Sequence, residues 1–188
     1  MLRKSGKKGW SIKKAHNMDN AEIKAILQNL GERVPPSSQL ILLGGSALAL
    51  LGSPRLTVDI DFIGDDVQPN PLHRIIMQIA RDLQIHIEPV PLERFIPLPE
   101  GNEKRRIRIG QYGNLEVFIA DPYSIALSKV DRGFETDIED ILFLIQKNFI
   151  TLAELEHITR KAISQAQGFD LSPEILEHLQ DLKNQLES

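Results

Sequence analysis

Apolar and polar positions alternate in blocks along the chain, and the blocks predict strands mixed with helices first and helices alone afterwards. Asp19 and Glu22 stand at capping-box spacing ahead of a helix running to about Leu30, which Gly31 stops. The segment Pro35-Pro36-Ser37-Ser38 reads as a linker. Residues 39–43 form a short apolar run bounded by turn residues, which predicts a buried strand. Gly44-Gly45 ends that strand, and a short helix over residues 46–51 follows. Residues 58–63 predict a second strand, with Val58, Ile60 and Phe62 on one face.

Asn70 followed by Pro71 is a cap with proline at the first helical position, which opens a helix to about Leu83. Residues 85–87, 106–109 and 115–119 read as three further strands, and the proline-rich segment 89–99 as an irregular loop. Beyond Asp121-Pro122, another cap-and-proline start, the chain turns helical. Ile138, Ile141, Leu142 and Ile145 follow the stripe of an amphipathic helix. Thr151 and Glu154 form a capping box, and Ser172-Pro173 opens a last helix. The expected organisation is a basic arm over 1–18, an α/β core over 19–121 and a helical region over 122–188.

Composition narrows this picture. The 188 residues suit one compact domain or a core with a helical appendage, and 41% hydrophobic residues can fill a core. The absence of cysteine excludes disulfides, thiolate catalysis and thiolate-bound metal. The longest apolar stretch, residues 40–51, is interrupted by Gly44, Gly45 and Ser46 and falls short of a membrane span. The basic start leads into no apolar segment of the signal-peptide kind, so a cytoplasmic location is expected. Net charge is −4, yet residues 1–17 carry six lysines and arginines and no acid, which leaves −10 on the rest. Such an arm is read first as a solvated tail, and second as a contact for nucleic-acid phosphates in which Trp10 could stack on a base.

The chemistry is concentrated between Gly44 and Asp61. Alternation along a strand puts Asp59 and Asp61 on one face, where two carboxylates repel unless a cation lies between them. Hard oxygen ligands suit Mg²⁺ or Mn²⁺. A glycine pair lets a ligand approach the backbone closely, and a helix opening at Ser46 presents free N–H groups to an anion. Together these halves describe a site for a nucleoside triphosphate. Alone, Asp59 and Asp61 are the wet face of a half-buried strand. Asp65-Asp66 reads as a solvated turn and Lys104-Arg105-Arg106 with Arg108 as a solvated strand end. The five histidines lack metal-ligand spacing.

Gly44-Gly45-Ser46, a twelve-residue spacer and Asp59-Ile60-Asp61 resemble the signature of the DNA polymerase beta-type nucleotidyltransferase superfamily. Arg55-Leu56-Thr57-Val58-Asp59-Ile60-Asp61-Phe62 is similar to the form found in AbiE-type toxin nucleotidyltransferases and their uncharacterised relatives. A later block, Ser128-Lys129-Val130-Asp131-Arg132 then Asp137-Ile138-Glu139-Asp140-Ile141, resembles the second motif of that branch. The resemblance spans residues 40–149. It implies a nucleotidyltransferase core with a mixed sheet flanked by helices, and transfer of a nucleoside monophosphate from NTP to an RNA (a tRNA end, for instance) or a protein hydroxyl. It further implies metal held by Asp59 and Asp61, and nucleotide held by Gly44, Gly45, Ser46, Arg55 and Thr57. Lys129 would neutralise phosphate charge.

The third carboxylate has two candidates. Glu116, flanked by Leu115 and Val117, fits the wider superfamily as a metal ligand. Asp137, first acid of the later block, fits the toxin-like branch as a catalytic residue. A toxin-like enzyme implies a cognate antitoxin protein. The other readings are a catalytically silent, antitoxin-like partner-binding protein and an NTP sensor.

Overall fold

The computed structural model describes residues 17–187, so the basic arm, Trp10 included, lies almost wholly outside the described residues. A five-stranded mixed sheet forms the centre, in the order β3-β2-β1-β5-β4. Its strands are β1 (Ser38–Leu43), β2 (Ile60–Ile63), β3 (Ile87–Val90), β4 (Ile107–Tyr112) and β5 (Leu115–Ile119). β1 runs parallel to β5 and antiparallel to β2, β2 is parallel to β3, and β4 and β5 form an antiparallel hairpin.

Helices α1 (Asn20–Gly31), α2 (Gly44–Leu50), α3 (Pro71–Leu83) and the short α4 (Leu92–Phe95) alternate with the strands. Then α5 (Pro122–Arg132), α6 (Glu135–Gln146), α7 (Leu152–Ser164) and α8 (Ile175–Glu187) make up the helical C-terminal region. The fold is therefore of the α/β class expected. No helix of the described residues is long and apolar enough to cross a membrane.

The local signals act where their chemistry is local. Asp19 accepts the Glu22 N–H at 2.9 Å while Glu22 accepts the Asp19 N–H at 3.0 Å, so the capping box starts α1 as spaced. Asn70 accepts from His73 and Asp121 from Tyr123, each ahead of a proline that starts its helix. The core is continuous from the sheet into the helices, with Leu40, Leu42, Ile60, Phe62, Val117 and Ile119 of the strands packed with Ile125, Leu127 and Val130 of α5.

Several boundaries differ from the pattern reading. Val58 is not in β2 and stays 42% exposed, because pairing with β1 begins only at Asp61 and the preceding segment bridges to Met18 through Thr57. β3 runs on through Pro89 to Val90, inside the stretch expected to be irregular. An edge strand tolerates proline because one side of its backbone carries no ladder bonds. α2 opens at Gly44, two residues early, directly after β1. The last helix is regular from Ile175, with Ser172-Pro173 in the turn before it. The basic cluster is largely paired: Arg105 grips buried Asp121 through two bonds of 2.8 Å, and Arg108 meets Glu116 at 2.7 Å.

Candidate functional site

Three stretches of backbone converge on one cavity of about 660 Å³. The first is the junction of β1 and α2, with Gly44 and Gly45. The second enters β2 and carries Arg55, Thr57, Asp59 and Asp61. The third is the C-terminal half of α5, with Lys129 and Arg132, joined by Asp137 from the first turn of α6. Sheet register explains the first two: Asp61 is the antiparallel partner of Leu43, so it lies beside Gly44.

The glycines are there for space. Gly44 has φ +69°, and a Cβ on it would lie 2.4 Å from Asp61 Oδ2, while one on Gly45 would lie 2.8 Å from Thr57 Oγ1. Gly44→Ala is therefore expected to lose roughly 1–3 kcal/mol from backbone strain and from displacement of the Asp61 carboxylate. A urea midpoint equal to that of the wild type would refute this.

Thr57 and Ser46, both expected as nucleotide contacts, have hydrogen-bond partners within the chain. Thr57 exchanges two backbone hydrogen bonds with Met18, of 2.6 and 3.1 Å, and its hydroxyl donates to the carbonyl and carboxylate oxygens of Asp59 at 3.1 and 3.2 Å. It faces the cavity but is a positioning residue for Asp59. Ser46 is fully buried, and its hydroxyl donates to the Leu43 carbonyl at 3.3 Å inside the first turn of α2.

Electrostatics divide the cavity into two poles. On the sheet side, burial and the neighbouring Asp59 and Glu88 push the Asp61 carboxyl up to about 6. Glu88 is the residue that sequence reasoning missed. Parallel pairing of β2 with β3 sets it in register with Asp61, on the same face of the sheet. The signal is there in the apolar–acid–apolar run Ile87-Glu88-Pro89, but only the strand pairing shows that it adjoins Asp61. In its present rotamer Glu88 meets His86 at 3.1 Å.

Glu116 does not join these acids. It is in register with Gln39, at the far end of β1 from Leu43. Its carboxylate accepts from Arg108 at 2.7 Å and Gln39 at 3.0 Å, which hold it below the usual carboxylate range. Of the two candidates for a third carboxylate in the sequence, only Asp137 borders the cavity.

The opposite pole is a charge network between α5 and α6. Lys129 is buried and donates to Asp137 at 3.1 Å and to Asp140 at 2.7 Å, both acids being buried too. Arg132, one turn beyond Lys129 on α5, reaches Asp137 at 2.6 Å. Arg55 reaches Asp140 at 2.5 Å from the segment leading into β2. Burying three charges costs several kcal/mol each unless geometry and hydrogen bonds compensate, and here one atom goes unserved: Asp137 Oδ2 is buried with no partner. Arg132 also lowers the Asp61 carboxyl, so it serves both poles.

Donor chemistry decides whether a divalent cation fits. Among the described residues no three potential ligands converge tightly enough to hold an ion by themselves. Asp59 and Asp61, with Glu88 adjacent, offer hard oxygens whose mutual repulsion a cation would relieve. Mg²⁺ is commonly held by one or two carboxylates, with substrate phosphates and water completing the shell. The residues present fit that mode of binding.

Residues 20–175 match a family model described as a nucleotidyltransferase of unknown function. No curated protein and no solved structure is similar enough to match.

Proposed function

Because the chain belongs to this family of nucleotidyltransferases of unknown function, we propose that it moves a nucleoside monophosphate from an NTP to a hydroxyl of an RNA or a protein. We further infer that it is a polymerase beta-type enzyme of the AbiE-type toxin branch. One observation carries the reading: Asp59 and Asp61 share a single cavity with Lys129 and Arg132, and Gly44 and Gly45 line it beside the two carboxylates.

In this reaction the acceptor oxygen bonds to the α-phosphorus as the α–β phosphoanhydride bond breaks, its proton passes to a carboxylate of the cluster, and pyrophosphate leaves. Asp59 and Asp61 would hold the divalent cation, Mg²⁺ or Mn²⁺, with Glu88 beside Asp61 on the neighbouring strand. That cation, when bound, supplies charge neutralisation at the transferring phosphate. Thr57 fixes the Asp59 carboxylate through its hydroxyl. Gly44 and Gly45 leave room for the phosphates, and Lys129 and Arg132 offset their charge. Asp137 and Asp140 hold the Lys129 ammonium in place, and Arg55 closes that network from the other side.

The test is label transfer. Purified protein with Mg²⁺ and each α-³²P-labelled NTP is expected to label a component of total RNA or protein extract, and Asp59→Ala with Asp61→Ala is expected to abolish it. NTP binding without transfer would leave a sensor, and no binding at all would leave a partner-binding protein. If the enzyme is the toxin of a pair, its overexpression slows growth, the double variant is harmless, and co-expressed antitoxin restores growth.

A further inference from the structure

Large apolar side chains exposed to solvent are few among the described residues, and four of them border this one cavity: Leu56 at 49%, Val58 at 42%, Phe95 at 55% and Phe134 at 64%. The two phenylalanines are the informative pair. Neither ring stacks on another aromatic ring among the described residues, and each is more than half exposed. Yet both stand on fixed backbone. Phe95 ends α4, whose Arg94 is clamped by Asp65 at 2.5 Å and Asp66 at 2.9 Å. The Phe134 carbonyl accepts the N–H groups of Asp137 and Ile138 at the start of α6.

Exposed aromatic rings cost solvation free energy unless something covers them. The cavity they border has charged poles at Asp59, Asp61, Lys129 and Arg132, and those poles match an anion with its cation. A ligand that suits both parts has a polyanionic end and a flat π-surface, which is the chemistry of a nucleotide. We propose that Phe95 and Phe134 form the base-binding end of this cavity, stacking the nucleobase of the NTP whose phosphates lie toward Asp59 and Asp61. This rests on the nucleotidyltransferase reading and adds to it where the substrate's base is held. Stacking on a ring face tolerates every base, so the rings supply affinity for a base without choosing among the four.

The experiment compares each NTP with inorganic tripolyphosphate, which has the charge and no base, by calorimetry in Mg²⁺. The wild type is expected to bind NTPs on the order of 5- to 100-fold more tightly than tripolyphosphate. Phe134→Ala and Phe95→Ala are expected to shrink that ratio toward one by weakening NTP alone, while Phe134→Tyr keeps it. Both positions are exposed, so unchanged melting temperatures will accompany the loss. Equal binding of NTP and tripolyphosphate by the wild type overturns the inference and leaves the transferase reading standing. Alanine variants with wild-type NTP affinity overturn it too, including the case where only the apparent affinity for an RNA acceptor falls. Absence of binding by either ligand overturns the transferase reading itself.

Discussion

Lys129→Met is expected to lose about 3–5 kcal/mol, because it removes the ammonium and leaves two buried carboxylates behind. Methionine keeps most of the side-chain volume, so the effect is one of charge. Asp137 retains Arg132 at 2.6 Å and Asp140 retains Arg55 at 2.5 Å, but both arginines are about half exposed and compensate less well. For a chain of this size the loss corresponds to a fall in melting temperature of roughly 6–20 °C. Neutralising the acids as well, with Asp137→Asn and Asp140→Asn, is expected to recover much of that stability, since a buried ionic cluster can be exchanged for neutral groups. Activity separates structure from chemistry: if Lys129 faces phosphate, the triple variant melts near the wild type yet transfers no label. A single variant melting within about 2 °C of the wild type would sink the argument.

Asp61→Asn is expected to raise stability in the presence of a chelator while abolishing transfer. The Asp61 carboxyl is pushed from 3.8 to about 6, which makes its ionised form a destabilising group in the folded chain. The cost is absent below about pH 3.8, grows as pH rises through 6, and is fully present above that. A rise of that size corresponds to about 3 kcal/mol. Asp61 is only partly buried, so solvent screening reduces this to about 1–2 kcal/mol. The variant should therefore melt above the wild type at pH 8 and converge with it near pH 4. Mg²⁺ should stabilise the wild type and close the gap at pH 8, because a bound cation removes the repulsion among Asp59, Asp61 and Glu88. Transfer by the variant is expected to fall by more than about a hundredfold, beyond the 10- to 100-fold cost of losing a residue behind a metal ligand. Equal melting curves at pH 8 in chelator would show that the acids do not strain the fold.

How much of this is legible along the chain depends on how far apart the partners lie. The capping box at Asp19 and the single cap bond at Thr151, whose hydroxyl accepts from the Glu154 N–H, act within one turn, and both helices start at the expected place. Spacing along the chain singles out Gly44, Gly45, Asp59 and Asp61, the family resemblance adds Lys129 and Asp137, and the fold places all six around one cavity. Glu88 escapes such a reading because its relation to Asp61 exists only once β3 has paired with β2, and spacing along the chain does not encode register. Glu116 has the same apolar–acid–apolar setting, but its strand register sends it to the opposite end of the sheet. Taken by itself Lys129 resembles an ordinary surface lysine, because burial of a charge is decided by counter-charges from another helix, here Asp137 and Asp140. A hydroxyl after two glycines suggests a phosphate contact for Ser46. The fold adds a local partner, the Leu43 carbonyl, which no spacing along the chain announces.

The two backbone bonds between Met18 and Thr57 act as a mechanical linkage. Thr57 holds Asp59, so Met18 is tied through one residue to a carboxylate of the site. The segment before Met18 carries the chain's densest positive charge. A trim that removes Met18 cuts the linkage and loosens the carboxylate, whereas one that stops short of it leaves the lever in place.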